Sequence, residues 1–531
     1  MSSSTIIADC SVELHNPNIV RDVNVPGLMI GERFGLLTID FEKAEMTNTP
    51  TFILFNIDRT GSMSEPGNIG DTYNKMHYVK ETFKQIAQYI SRKDAEIYIK
   101  VLAFHTEVET LVDCVKISPE NCDKIVQKIM SVEPNGSTAI DAALLSASVI
   151  LKKYKQENEG HDVYHIFMTD GEPTTGIVSH SDLASMVDKD FSTVFVGFGK
   201  NHNSSLLQKM SEGPLSNYEV IDNIEHTGVV YASIMHEILF TSVRNFRLTV
   251  EKGEIYDWTT NMWTNSLQEA SIVSESKKIY YLKTVDREKL AVRMFGKING
   301  SVEETHLDDA FVLPDLEDME TGEIQHSCDE DLSKHIYRIS TQEILFKSKT
   351  MVRVGLAQFK QSVSLLFRKM RRFMRLNDLS ADPMMAQLCD DLSIVYRTAG
   401  TRHGQMFSVA RSSSQGRQNS NTATMTQEPD HDYNDTFVPA YDSQVPMLPR
   451  SNAMQLMRCN SAGPTPLMHP VDEEDDFEPI FQEIEGDFDD NDYIDHYLPS
   501  ENPISCFATP TALNTIRSLT QGNQGHQNQR R

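Results

Sequence analysis

The chain has 531 residues and a formal net charge of −27, with 76 Asp and Glu residues against 49 Lys and Arg residues. This length exceeds one ordinary hydrophobic core and predicts two or three folded units. The acidity disfavours long-range attraction to DNA, RNA or anionic lipid, so nucleic acid is not expected to be the main ligand. Between Asp472 and Asp495 there are thirteen carboxylates and no Lys or Arg, so much of the excess charge lies in one segment.

The seven cysteines are odd in number, scattered, and without a C-x-x-C pair, so they suggest neither a disulfide framework nor a zinc site. The N-terminal sequence MSSSTIIADC lacks a basic or apolar leader, and no window approaches the ~18 apolar residues of a membrane span. We therefore expect a soluble cytoplasmic protein, with the nucleus left open. These features do not specify an oligomeric state.

Strand-like runs lie both before and after the main α/β pattern. Short strand-like runs precede it at 6–14 and 34–41 and follow it at 246–250, 279–284 and 290–298. Because the two sets lie on either side of the α/β pattern, we predict one β-sandwich assembled from both, with the α/β unit inserted between them.

Residues 51 to 242 alternate apolar runs with amphipathic stretches, which predicts a mostly parallel, doubly wound sheet of about six strands. The predicted strands are 51–58, 97–105, 109–117, 163–170, 192–198 and 218–221. The predicted helices are 73–90, one capped by Ser118, 139–154, 182–187, 204–210 and 227–240. The short join between the second and third strands predicts a hairpin that adds an antiparallel edge.

A helical pattern follows from about Thr341 to Thr398, broken at Asp382-Pro383. Beyond about Arg411 the chain becomes rich in Ser, Asn, Gln and Pro, and we predict disorder to Arg531. The predicted organisation is N-terminal sandwich strands at 1–49, the α/β domain at 50–242, C-terminal sandwich strands at 243–316, a helical region at 317–400 and a disordered acidic tail at 401–531.

Three short motifs lie where such a fold would bring them together. DRTGS, at the end of the first α/β strand, supplies Asp58, Thr60 and Ser62; GST, before a long helix, supplies Thr138; MTDGEPT, at another strand end, supplies Asp170. Ligands of open parallel sheets bind at the carboxyl ends of the strands, near the topological switch point. The sequence therefore predicts that these five side chains converge.

Hydroxyl and carboxylate oxygens suit a small hard cation, because Mg²⁺ takes oxygen ligands in near-octahedral geometry and keeps some of its water. The predicted cofactor is Mg²⁺, with Mn²⁺ or Ca²⁺ as alternatives. Few charged ligands surround the ion, so its remaining positive field would attract an incoming Glu or Asp. The alternative is a degenerate copy of such a metal site that has only a structural role, since Ser, Thr and Asp are also common in turns.

The three motifs together resemble the von Willebrand factor type A (vWA) domain, whose metal-ion-dependent adhesion site is usually written D-x-S-x-S, then Thr, then a T-D-G loop. The resemblance covers roughly residues 50 to 242. It implies direct ligation of the metal by Thr60, Ser62 and Thr138, with Asp58 and Asp170 acting mostly through water. Thr60 stands where the family generally has Ser, which keeps the hydroxyl but adds a methyl group that could crowd the metal.

We expect a non-enzymatic scaffold that recognises an acidic residue of a protein partner through the metal. An alternative is an adaptor subunit in a ubiquitin-transfer or AAA-type remodelling assembly, because relatives of this domain occur there. A third hypothesis, metal-assisted phosphoryl or ester hydrolysis, needs a base beside the ion. The sequence offers no recognisable nucleophile or nucleotide-binding motif.

Two features outside the site leave alternatives open. The basic run from Arg368 to Arg375 suggests a solvated helix face in preference to nucleic-acid binding or a nuclear address, and it could also dock the acidic tail. The tail interleaves carboxylates with aromatic and aliphatic side chains, which fits either a segment that folds onto a partner or a solubilising tail.

His236-Glu237 lacks the second His of H-E-x-x-H, and we interpret it as ordinary helix surface.

Overall fold

The computed structural model describes residues 8–14, 24–29, 31–43, 46, 49–66, 73–199, 202–221, 227–284, 291–298, 305–306, 311–312, 329–351, 354–418, 493–500 and 504–527. The strands are β1 (Ala8–Leu14), β2 (Arg33–Phe41), β3 (Thr51–Asp58), β4 (Ile97–Phe104), β5 (Val108–Lys116), β6 (Asp162–Thr169), β7 (Ser192–Phe198), β8 (Ser216–Ile221), β9 (Thr241–Glu251), β10 (Glu254–Asp257), β11 (Met262–Thr264), β12 (Ser266–Val273), β13 (Lys277–Thr284), β14 (Ala291–Ile298), β15 (Thr305–His306) and β16 (Phe311–Val312).

The helices are α1 (Lys75–Ser91), α2 (Pro119–Met130), α3 (Ile140–Glu157), α4 (His180–Met186), α5 (Ser204–Met210), α6 (Thr227–Leu239), α7 (Asp329–Ser348), α8 (Leu356–Leu376), α9 (Pro383–Thr398), α10 (Arg402–Arg417) and α11 (Pro510–Gln527). Within the described ranges, none of them combines the length and the apolar character needed to cross a membrane.

The α/β unit is built on a six-stranded sheet in the order β5-β4-β3-β6-β7-β8. All neighbouring strands are parallel except β4 and β5, which form the predicted antiparallel edge. Every residue of β3 is buried, as expected for a central strand with helices on both faces. Chain order reverses between β3 and β6, so the ends of these strands form the crevice where such sheets bind ligands. The doubly wound prediction is confirmed.

The sandwich is assembled from both flanks of the α/β unit. One sheet has the order β1-β2-β13-β10-β11, and the other has the order β12-β9-β14-β15, with β16 beside β14. The pairing of β2 with β13 joins a strand before the α/β unit to a strand after it, for example through Leu37 and Tyr280. Leu37 and Ile39 share an apolar core with Phe246 and Leu248 of the second sheet. The predicted insertion is confirmed, although residues 6, 7 and 290 lie outside the described ranges.

Three helices, α7 to α9, lie within the predicted helical region. The break at Asp382-Pro383 is confirmed, because the Asp382 side chain accepts a hydrogen bond from the N–H of Met385 and Pro383 occupies the first helical position. Residues 317–328, where this region was predicted to begin, lie outside the described residues.

The prediction of disorder throughout 401–531 is wrong for α10, for 493–500 and for α11. The composition of α10 predicted disorder wrongly, because its Ser, Gly and Gln residues allow close packing. A Cβ atom at Gly416 would overlap the ring of Trp258, and Arg411 Nε donates to Asp391 Oδ1 at 2.5 Å. The order of this helix therefore depends on neighbours that a compositional argument does not include. The acidic residues 472–492 lie outside the described residues.

The interpretation of His236 as helix surface is also wrong. His236 is fully buried, and its Nε2 lies 3.2 Å from Oγ1 of Thr509, just before α11. Ile516 and Leu519 of α11 share an apolar cluster with Val229 and Ala232 of α6. The sequence alone could not show this, because residues almost three hundred positions away cover the helix.

The basic helix α8 is only partly a solvated face. Lys369 is buried, and the guanidinium of Arg371 lies 5.7 Å from the centre of the Tyr497 ring. Arg368 is placed similarly over Tyr493, at 5.8 Å. Tyr493 and Tyr497, which follow the acidic residues 472–492, therefore contact this helix through cation–π interactions. Docking of the acidic residues themselves stays a prediction, because 472–492 lie outside the described residues.

We expect Asp391→Ala to lower the free energy of unfolding by about 3–5 kcal/mol, because it leaves the Arg411 guanidinium buried without its carboxylate. Both side chains of this pair are almost fully buried. Glu157→Ala, which removes an exposed partner of Lys153, serves as the control and should cost no more than about 1 kcal/mol. Chemical denaturation measures both, and equal small losses would contradict the structural role given to α10.

Candidate functional site

The five predicted site residues lie together at one rim of the central sheet. Asp58 is the last residue of β3, and Thr60 and Ser62 lie in the turn that follows it. Thr138 lies in the loop before α3, and Asp170 directly follows β6. All but Ser62 are buried, and Ser62 is half-buried.

Asp58 is fixed by two hydrogen bonds. Its Oδ1 accepts from the backbone N–H of Thr60 at 2.8 Å, and its Oδ2 accepts from the Thr169 hydroxyl at 2.6 Å. The first bond shapes the turn and the second ties β3 to β6. Sequence reasoning did not assign a separate role to Thr169, although it forms the first letter of the T-D-G loop.

A chain of hydroxyls joins the turn to Asp170. The Ser62 hydroxyl donates to Asp170 Oδ1 at 2.8 Å, and the Thr60 and Ser62 hydroxyl oxygens are 3.1 Å apart. The added methyl of Thr60 is accommodated, because this side chain is buried and still keeps its hydroxyl beside that of Ser62.

The loop carrying Thr138 is held by Thr174, which sequence reasoning missed. The Thr138 N–H donates to the Thr174 hydroxyl at 2.8 Å, and the Thr174 N–H donates back to the Thr138 carbonyl at 3.0 Å. The signal was present in the sequence, since Thr174 belongs to the MTDGEPT motif.

Gly171 leaves a gap between the two loops. A Cβ atom added there would lie 3.5 Å from Thr138 Oγ1 and 3.6 Å from Ser62 Oγ. Two hydroxyl oxygens therefore converge on a space that the absence of a side chain keeps open. The surrounding donors are all oxygens, which fits a small hard cation.

The Asp58 carboxyl has a raised proton affinity. Burial raises the pKa of Asp58 from 3.8 to about 7, and the negative charge of Asp170 adds to the effect. No group of three or more Asp, Glu, His or Cys side chains suited to a metal occurs in the described part of the chain. A cation at this rim would therefore depend on hydroxyls together with the two carboxylates.

A lysine completes the rim. Lys75 Nζ lies 2.7 Å from Asp170 Oδ2 and 3.0 Å from Glu65 Oε2. Burial lowers the pKa of Lys75, but the charges and hydrogen bonds of Asp170 and Glu65 outweigh it and the net shift is upward. Sequence reasoning missed this residue, because its partner Asp170 is 95 positions away.

The helical region also reaches this rim. The guanidinium of Arg402, at the start of α10, donates to the Glu172 carboxylate at 2.9 Å and to the His202 carbonyl at 3.3 Å. Glu172 belongs to the same loop as Asp170. The edge of the site is thus shared between the α/β unit and α10.

Residues 53–228 match the family model for the von Willebrand factor type A domain. The chain therefore carries a vWA domain, as the resemblance of its motifs implied. Domains of this family often mediate protein–protein interactions and often bind a divalent metal, and they are typically non-enzymatic.

The curated relatives are matched over about a third of this chain. Inter-alpha-trypsin inhibitor heavy chain H3 of Bos taurus is 26% identical over 170 residues, which cover 30% of this chain and 18% of that protein. Heavy chain H4 of Bos taurus is 27% identical over 179 residues, covering 32% of this chain and 18% of that protein. The match thus spans less than a fifth of the length of each relative.

Solved structures similar to this chain include a von Willebrand factor type A protein from Catenulispora acidiphila. It has a TM-score of 0.45 and 13% identity, and the match covers 75% of this chain and 91% of that one. The ArnB paralog VWA2 from Sulfolobus acidocaldarius has a TM-score of 0.46 and 13% identity, with 76% and 97% covered.

The raised pKa of Asp58 predicts a pH-dependent stability in chelator. Between pH of about 4 and about 7 the folded protein keeps a proton on Asp58 that the unfolded chain has lost. The contribution of Asp58 to stability therefore falls as pH rises, by up to about 1.4 kcal/mol per pH unit.

Asp58→Asn removes this titration, so its stability relative to the wild type should improve from pH 5 to pH 7. Denaturant unfolding in EDTA at the two pH values measures the difference between variant and wild type. A difference that is the same at both would contradict the raised pKa.

Proposed function

We propose that this chain is a non-enzymatic interaction protein whose vWA rim holds a divalent cation and uses it to bind a carboxylate of a partner protein. The observation that carries the proposal is the convergence of the Ser62 and Thr138 hydroxyls over Gly171, beside two buried carboxylates. Mg²⁺ is the proposed ion, with Mn²⁺ and Ca²⁺ as alternatives, because every donor is an oxygen.

The proposed ligand roles follow the family pattern. Thr60, Ser62 and Thr138 would bind the ion directly, while Asp58 and Asp170 would act mostly through water. Support for the outer role of Asp58 comes from its hydrogen bonds, since one oxygen already accepts from Thr60 and the other from Thr169. When bound, the cation would supply an open coordination position for the partner's carboxylate.

The proposal excludes catalysis for a reason specific to this rim. The carbonyl of His105 accepts from the N–H of Ala139, next to Thr138, at 3.0 Å. The His105 ring is held by Arg59 at 2.8 Å and by the Glu107 N–H at 2.9 Å. Lys75 is paired with Asp170. Asp58 has a pKa of about 7, but both of its oxygens already accept hydrogen bonds, from Thr60 and Thr169. The groups that could accept a proton are therefore engaged in the fold, which favours binding over hydrolysis.

We also propose a reducing compartment, in agreement with a cytoplasmic location. The support is that Cys114, Cys122, Cys389 and Cys506 have free thiols. Reduced thiols are typical of cytosolic proteins.

Titration calorimetry with Mg²⁺ and Mn²⁺ tests the proposed ion directly. We expect uptake by the full chain, and at least about tenfold weaker uptake by Ser62→Ala, which removes a direct ligand and the hydrogen bond to Asp170. Ser148→Ala is a matched control. The Ser148 hydroxyl, on α3, also donates to an aspartate, Asp188, at 2.8 Å, but neither residue belongs to the proposed site.

The same variants test partner binding. Proteins captured by the wild-type chain in Mg²⁺ should be released by EDTA, retained by Ser148→Ala and lost by Ser62→Ala. Absence of metal uptake by the wild type, or recovery of the same partners with and without EDTA, would contradict the proposed function.

Gly171→Ala tests the gap itself. The added methyl would lie in ordinary van der Waals contact with both hydroxyls, so the protein should fold, yet the methyl would occupy the space proposed for the ion. We expect an unchanged unfolding temperature in EDTA and loss of the stabilisation that Mg²⁺ gives the wild type. Equal stabilisation of variant and wild type by Mg²⁺ would place the ion elsewhere.

A further inference from the structure

Lys75 brings a positive charge to the rim where a cation is proposed to bind. Its side chain is 9% exposed, and its Nζ lies 2.7 Å from Oδ2 of Asp170, whose side chain is 0% exposed. Its other partner, Glu65, is 63% exposed and lies at 3.0 Å. Solvent screens the pair with Glu65 much more than the pair with Asp170, so Asp170 is the dominant partner.

The position of this lysine is costly for the helix that carries it. Lys75 is the first residue of α1, directly after the cap Asn74, and the first turn contains no acidic residue. A cation at a helix N-terminus opposes the helix dipole. The Lys75 stem also passes Gly199 at the end of β7, where an added Cβ would lie 3.5 Å from Cε. The fold thus holds the ammonium at the rim against an unfavourable field, with Asp170 as compensation.

Lys75 changes the charge balance of the site. Asp58 and Asp170, when ionised, bring two negative charges, and Lys75 offsets one of them. A divalent cation added to these three side chains would leave one positive charge in excess. Without Lys75, the same ion would be fully neutralised and would attract an anion less strongly.

We propose that Lys75 is a built-in counter-cation that competes with the divalent ion for Asp170, so that it weakens metal binding and keeps the metal-loaded rim positive towards a partner's carboxylate. This inference rests on the proposed function and adds regulation of the same site. Lys75 acts through Asp170 and is therefore a positioning residue.

The geometry decides whether loss of Lys75 strengthens or weakens metal binding. If Lys75 only oriented Asp170, its loss would weaken metal binding. Orientation has a second source, however, because the Ser62 hydroxyl donates to Oδ1 of the same carboxylate at 2.8 Å. Removal of the ammonium therefore mainly removes repulsion of the incoming ion, and the affinity for the ion should rise.

The test is calorimetric titration of the full chain with Mn²⁺ and with Mg²⁺. Lys75→Met, which keeps the aliphatic stem without the charge, should bind either ion at least about fivefold more tightly than the wild type. Lys75→Gln should do the same and serves if the Met variant does not fold. Lys75→Arg keeps the charge and should stay close to the wild type.

Lys80→Met is the matched control. Lys80 lies on the same helix, is also buried, and pairs with Glu133 at 3.2 Å instead of with a site residue. Its removal should leave metal affinity unchanged.

The outcomes separate this inference from the proposed function. Metal uptake by the wild type together with tighter binding by Lys75→Met and Lys75→Gln supports the inference. Metal uptake by the wild type that is unchanged or weakened in these variants overturns the inference and leaves the proposed function standing. Absence of uptake in wild type and variants alike overturns both.

Discussion

The structure depends on two carboxylates that end neighbouring central strands of one sheet. Asp58 closes β3 and Asp170 follows β6, and both are buried where the chain order of the sheet reverses. Burial and mutual repulsion make two such charges unfavourable unless hydrogen bonds or a cation compensate. Thr169, Ser62 and Lys75 supply that compensation within the chain.

The surroundings of the α/β unit follow from the same arrangement. The rim lies at the carboxyl ends of the strands, and Arg402 brings the start of α10 to it through Glu172. Away from the rim, α11 covers α6 and buries His236. The rim and the covered helix are thus different surfaces of one domain, and a partner bound at the rim would not need to displace α11.

The central sheet could be predicted because a buried parallel strand leaves a clear mark in the sequence. TFILFNID is a continuous apolar run that ends in a carboxylate, and it forms a wholly buried strand. The convergence of the five predicted residues could be anticipated because strand ends meet at one rim of the sheet. The sandwich could be inferred because strand-like runs lie on both sides of the α/β unit, and β2 does pair with β13.

The rest required tertiary information. Residues of α10 resemble a disordered segment in composition, yet Gly416 packs against Trp258 and Arg411 donates a hydrogen bond to Asp391. Lys75 looks like a surface residue at the start of an amphipathic helix, and only the fold shows that Asp170 lies beside it. Such long-range pairings are set by packing of whole elements, which local pattern cannot specify.

The most direct measurement is anomalous diffraction from crystals of the full chain soaked in Mn²⁺. We expect a manganese peak in contact with the Ser62 and Thr138 hydroxyls, over Gly171. A fully occupied peak at another place, or no peak at this rim at saturating Mn²⁺, would contradict this expectation.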